Sequence, residues 1–228
     1  MDASPTHPTP PLARWLREPV NALTHGLGVL LSVAGLVVLV VLSDGEPWRT
    51  VAFAVYGASL VALYLASTLL HAVRATPPVL RRLRVLDHAA IFFLIAGTYT
   101  PIALVKIVAV NPGWGWALFG AAWGFASLGV LFKLFWIDAP RWLSTALYVG
   151  LGWMSLVAIV PLLEALPWGG LAWLLVGGAF YSVGAVVYAL QRPDPWPRVF
   201  GYHEIWHLFV LAGSASHFVL MVRYVLPA

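Results

Sequence analysis

The sequence has no cysteine and very little charge. The lack of cysteine excludes a disulfide scaffold, thiolate metal ligands and cysteine nucleophiles. Any transition metal must therefore be held by imidazole and carboxylate. Charged side chains make up 10% of the 228 residues and hydrophobic ones 61%, whereas a soluble globule carries about 25% charged residues. The 13 basic and 9 acidic residues sit in clusters separated by long uncharged stretches. That distribution excludes a soluble enzyme and a disordered tail protein. It also excludes a nucleic-acid binder, because the formal charge of +4 comes from basic loops and not from a basic face. Internal repeats and a glycine-rich phosphate loop are absent too. What is present is long apolar runs, and they make the chain an integral membrane protein.

A run of about 18 or more apolar residues crosses a hydrocarbon core of about 30 Å as a helix. Reading from charge to charge gives seven, over 19–43, 50–71, 88–105, 107–132, 142–163, 165–191 and 205–222. The expected fold is an all-α membrane protein, a seven-transmembrane helix bundle. The third run is the shortest and reaches spanning length only if Asp87 or its neighbours enter the helix. Glu164, Pro167, Gly169 and Gly170 break the fifth span from the sixth. Lysine and arginine divide unequally between the two sides. The N-terminal side collects Arg14, Arg17, Arg74, Arg81, Arg82, Arg84, Lys133, Arg141, Arg192 and Arg198, and the other side only Arg49, Lys106 and Arg223. By the positive-inside rule the N-terminus is expected in the cytoplasm and the C-terminus outside, in a multi-pass protein of the cell membrane. Trp48, Trp114, Trp116, Trp142, Trp168 and Trp206 fall near span ends, as an interfacial aromatic belt requires. Residues 1–17, with Pro5, Pro8, Pro10 and Pro11, are expected to form a flexible cytosolic tail, and residues 18–228 a single membrane domain. No basic segment leads into a short apolar stretch, so the first helix is expected to be retained.

Ionisable residues at membrane depth are costly and mark function. His25, His71, His88, His203 and His207 fall at span ends assigned to the cytoplasmic side, together with Asp87 and Glu204. His203 and His207 are i and i+4, a spacing that lets two imidazoles chelate one metal. Ser67 and His71 share that spacing at the end of span two. The basic connection over 74–84 makes spans two and three antiparallel neighbours, with Asp87 opening span three. If span seven packs against both, His71, His203 and His207 supply three nitrogens at one depth, and Asp87 and Ser67 are left to hold a water at the fourth position. Three histidines with an open position match a catalytic zinc site. Zinc lowers the pKa of a bound water to about 7, with Asp87 to orient it or act as general base. Imidazole ligands favour Zn2+; nickel, copper and iron also occupy such sets. His203-Glu204-x-x-His207 matches the metalloprotease pattern as well, with Glu204 as base; otherwise Glu204 faces the basic interface near Arg198. His88 is expected to be a packing or interface residue. His25, with Asn21 and Thr24, lines a cavity mouth or caps the first helix. His217 returns to within about 40° of the face of His203 and extends a polar stripe inward, towards a cavity.

Several of these residues occur in recognisable pieces. Glu18-Pro-Val-Asn21 with Thr24-His25-Gly26 opens span one, and Ser67-x-x-x-His71 ends span two. Leu86-Asp87-His88 runs on to Ala96-Gly97-Thr98-Tyr99-Thr100-Pro101, and His203-Glu204-Ile205-Trp206-His207 opens span seven. Over about residues 18 to 226 the combination resembles the hemolysin III family, within the progestin and adipoQ receptor superfamily. The resemblance implies seven spans with the N-terminus inside and a zinc ion near the cytoplasmic face, its ligands His71, His203 and His207. It implies Asp87 as the residue holding the zinc's water, with Ser67 beside it. Receptor relatives can carry glutamine in place of Glu204, which argues against a metalloprotease role. Those relatives are linked to hydrolysis of lipid amides such as ceramide, and the bacterial-type branch is named for haemolysis and connected with membrane-lipid homeostasis. Two functions follow as expectations. One is a zinc hydrolase of lipid amide or ester bonds whose substrate enters from the bilayer. The other is a non-enzymatic lipid sensor or cytolytic protein in which zinc only ties helices together.

Overall fold

Proline punctuates the chain. Pro19, Pro47, Pro77 and Pro112 each stand at the first turn of a long helix, where the missing N–H costs nothing and the fixed φ favours helix entry. A computed structural model describes residues 15–197 and 199–227; most of the expected N-terminal tail and Arg198 lie outside the described residues. Among these, seven helices are long and apolar enough to cross a membrane: α1 Pro19–Leu42, α2 Pro47–Ala72, α3 Pro77–Val110, α4 Pro112–Phe135, α5 Arg141–Ala165, α6 Trp168–Leu190 and α7 Tyr202–Val225. The expected all-α bundle is the observed one.

Two expected boundaries shift. The basic segment over 74–84 is not a loop: α3 starts at Pro77 and carries Arg81, Arg82 and Arg84 on its first turns. Thr76 is extended ahead of that proline, so the true connection is only a few residues long. Asp87 therefore sits in the third turn of α3, not at its opening. At the other end α3 runs on through 107 to Val110, and α4 begins only after Asn111, whose side chain accepts from the Trp114 N–H at 3.2 Å.

Neighbours in sequence pack as neighbours in space, α1 on α2, α2 on α3, α3 on α4 and α6 on α7, and α7 returns against α1. Short connections make each pair antiparallel, so the start of α1, the end of α2, the start of α3, the end of α4, the start of α5, the end of α6 and the start of α7 share one face. Helices α2 and α3 are the most enclosed and α5 the least. Outward leucines and valines stay exposed on α1, α4 and α5, as lipid-facing surfaces require.

Two prolines inside spans re-route backbone bonds. After Pro101 the turns of α3 widen into a π-helical stretch, Ile102–Ile107. Ahead of Pro161 the helix α5 tightens into a 3-10 stretch, Trp153–Ala158. A proline removes an N–H and crowds the carbonyl one turn back, and within a membrane freed carbonyls need a partner. Tyr99 supplies it. Its hydroxyl donates to the Gly152 carbonyl at 2.7 Å, with that of Leu151 at 3.1 Å, and accepts from the Ser155 N–H at 2.9 Å. One α3 side chain thus fixes the irregular part of α5.

Helices approach closely where glycine removes a side chain. A Cβ on Gly129 of α4 would stand 2.3 Å from the Phe92 ring of α3, whereas one on Gly124 would meet nothing within 4 Å. Gly129→Ala should lower stability by about 1–3 kcal/mol, and Gly124→Ala should be neutral or slightly stabilising; thermal unfolding in detergent reads both.

Candidate metal centre

The end of α2 leaves carbonyls without intrahelical partners. The segment leading into α1 supplies two of the missing donors: the Arg17 N–H bonds the Ala72 carbonyl at 3.2 Å and the Glu18 N–H that of His71 at 2.9 Å. Arg17 adds a guanidinium bond to the Leu70 carbonyl at 2.6 Å. This pairing lays the Glu18 carboxylate against His71 Nδ1. Burial alone would raise the Glu18 pKa, but the His71 hydrogen bond and the charges of His71, Arg17 and His203 outweigh it and hold the carboxyl below its ordinary value. Glu18 stays ionised and fixes the ring of His71 with Nε2 facing inward.

Two further imidazoles meet that nitrogen. His203 and His207, one turn apart at the start of α7, join His71 in a cluster whose ligand atoms all lie within 4.8 Å of one another. His203 Nε2 stands 3.4 Å from His71 Nε2. Tetrahedral ligands at about 2.0–2.1 Å from zinc lie about 3.3 Å apart, so the set fits one ion with small closure. His207 meets the backbone of Asn21, and its Nδ1 is buried without a hydrogen-bond partner. Buried polar atoms rarely go unpaired, and an ion held here gives the cluster what it lacks. The donor set of three imidazole nitrogens and no thiolate suits zinc and its neighbours in the transition series.

Asp87 and Ser67 lie beside the cluster. Ser67, buried on α2, hydrogen-bonds the Asp87 carboxylate from α3 and stands 2.7 Å from His25 Nδ1 of α1. Every proton finds an acceptor if His25 donates to Ser67 and Ser67 donates to Asp87. His25 also stacks on His207, with centroids 3.6 Å apart and planes at 13°. It therefore buttresses the cluster, a role that its position near a span end did not separate from helix capping.

Glu204 has structural partners. Its carboxylate accepts from the Gly201 N–H at 2.8 Å and from the Asn21 side chain at 2.8 Å. It caps α7 and ties it to α1, leaving the metalloprotease assignment without a free base. His88 lines the same cavity as the cluster, with Nδ1 buried and unpartnered. His217 reaches the Leu174 carbonyl at 3.3 Å, deep in that cavity. The volume is about 1340 Å3, and it runs from the cluster between α3, α5, α6 and α7 towards Trp168 near the opposite face. Sequence reasoning placed Glu18 in a motif without giving it a role. The signal was available, since it is the one acid beside the first span at the same end as the histidines.

Comparison with known proteins agrees with this arrangement. The family model described as Haemolysin-III related matches residues 13–218. The chain belongs to the haemolysin III family. It is 42% identical over 219 residues to Hemolysin-3 of Bacillus cereus, covering 95% of each chain. It is 39% identical over 211 residues to the Hemolysin-3 homolog of Bacillus subtilis (strain 168), covering 91% of this chain and 93% of that one. At 25% identity over 209 residues it also matches the human Monocyte to macrophage differentiation factor, with 90% and 82% covered. As a haemolysin III family member with seven apolar helices it is a multi-pass protein of the cell membrane.

Metal analysis of the purified protein is expected to give close to one divalent ion per chain, and His71→Ala should lose it. Glu18→Gln keeps the ligands but removes the carboxylate behind His71, and should weaken metal affinity about 10–100-fold. Because the imidazoles must be neutral to bind, metal retention should decline as the buffer is acidified.

Proposed function

We propose that this haemolysin III family protein is a zinc-dependent hydrolase of a lipid amide or ester bond, with its substrate entering the cavity from the bilayer. The observation that carries this reading is the position of Asp87: a carboxylate beside three convergent imidazoles, at the head of a cavity large enough for an acyl chain. His71, His203 and His207 would hold the zinc, which would supply Lewis acidity and the means to lower the pKa of a water. Asp87 is the general base that orients the attacking water and takes its proton, and Ser67, backed by His25, fixes the carboxylate. Water adds across the acyl bond, so the acyl carbon leaves as a carboxylate and the amine or alcohol leaves with a proton returned through Asp87. The apolar walls of α3, α5 and α6 exclude bulk water and hold the chain.

A second reading rests on the same cluster. His71, His203 and Glu18 join α2, α7 and the entry to α1, so an ion there would also staple the bundle, as a non-enzymatic lipid sensor or a cytolytic protein requires. Asp87 separates the two readings. Under the hydrolase reading, Asp87→Asn should cut fatty-acid release from a panel of ceramide-type amides and ester lipids at least about 100-fold, with metal content and thermal stability unchanged. Unaltered function in that variant would favour the staple.

The orientation proposed is N-terminus inside, since Arg74, Arg81, Arg82, Arg84, Arg141 and Arg192 crowd the histidine face. The absence of native cysteine makes this testable: on intact cells an impermeant maleimide should label E46C and spare D138C.

A further inference from the structure

The cavity lining around the histidines also carries charge that the metal chemistry does not use. Lys133, in the last turn of α4, is only 1% exposed. Its ammonium donates to the Ser144 hydroxyl of α5; no carboxylate stands within ion-pair distance among the described residues, and the nearest compensating charge is that of Asp138. A buried ammonium so weakly compensated is costly. The same lining carries Arg81 and Arg84 from α3 and Arg141 from α5. Arg84 and Lys133 lie within electrostatic reach of each other and of the unpartnered His88. Against these stands one acid, Asp138, which is exposed and shared between Arg84 at 3.3 Å and Arg81 at 3.8 Å. The Arg141 guanidinium carbon lies over Tyr188, 5.2 Å from its ring centre. The other acids of the lining are committed, Glu18 to His71 and Arg17, Glu204 to Gly201 and Asn21, and Asp87 to Ser67; Asp194 lies beside Gly201, on the α7 side.

We propose that Lys133, Arg84, Arg141 and His88 form a binding site for the phosphate headgroup of an anionic lipid whose acyl chain occupies the cavity. An ammonium and two guanidiniums present the donors that a phosphate monoester's oxygens accept. The site opens on the face where the basic residues gather and continues into apolar lining such as Leu162, Leu171 and Leu174, the order of polarity along a single-chain lipid phosphate. Tyr188 and Ser144 pre-orient two of the cations, so less side-chain freedom is lost on binding. The inference names the substrate class for the cavity proposed above. It rests on the lipid-binding part of that reading and not on hydrolysis.

The test is equilibrium binding to the purified full chain in detergent, with and without a chelator. The probes are a single-chain phosphatidate, the matching neutral monoacylglycerol, and inorganic phosphate. The phosphate lipid should bind at least about tenfold more tightly than the neutral one, as charge-assisted bonds predict, and should do so whether or not metal is present. Lys133→Met should remove the difference and Lys133→Arg should retain it. Arg84→Gln, at an exposed position, should weaken the phosphate lipid severalfold and leave the neutral one unchanged, which keeps the test open if Lys133→Met misfolds. Equal affinity for the two lipids, or no response to the Lys133 and Arg84 substitutions, overturns the proposal. Inorganic phosphate binding as tightly as the lipid would also overturn it, by assigning the cations to the free ion. Binding as expected without turnover would remove the hydrolase reading and leave this one standing.

Discussion

Two backbone bonds from residues 17 and 18 to the last turn of α2 set the geometry near His71. They use carbonyls that helix geometry leaves unpaired in any case, and they place the Glu18 carboxylate behind His71. A carboxylate behind a ligating histidine fixes ring orientation and raises ligand basicity. At a membrane face it also keeps three imidazoles and an approaching cation from being an uncompensated charge. The Asn21 side chain, bonded to Glu204, then joins the start of α1 to the start of α7, so the first and last helices close the ring around the site.

Much of this was legible in the sequence because membrane helices obey few rules. Apolar length gave seven spans, and the i, i+4 spacing of His203 and His207 required that their rings share a side of α7. The convergence of His71 with them followed from the alternation of the helices across the bilayer. What escaped was set by contacts that no periodicity encodes. Glu18 acquires its place from main-chain pairing with α2, and His25 from stacking on a ring 182 positions away in the chain. The start of α3 escaped for a different reason. Arginines read as loop when charge alone marks the boundary, yet Arg81, Arg82 and Arg84 ride on a helix that extends past the hydrocarbon; Pro77 was the better signal. The π-helical widening after Pro101 follows from a proline whose structural consequence depends on its neighbours.

The irregular stretch of α5 lines the cavity, with Tyr99 bonding the Leu151 and Gly152 carbonyls. The cavity is an apolar volume with polar groups gathered at one end. Imidazoles, acids and cations line that end together, a polar head on an apolar volume that suits the amphiphile proposed above.

The central claim is that three imidazoles, one from α2 and two from α7, grip a single divalent ion. X-ray absorption at the zinc edge on the purified protein tests it most directly. The account predicts a coordination shell of nitrogen and oxygen donors at about 2.0–2.1 Å, with the outer-shell scattering of about three imidazole rings, and loss of one ring contribution in His203→Ala. A spectrum fitted by oxygen ligands alone, or one unchanged by that substitution, would contradict it.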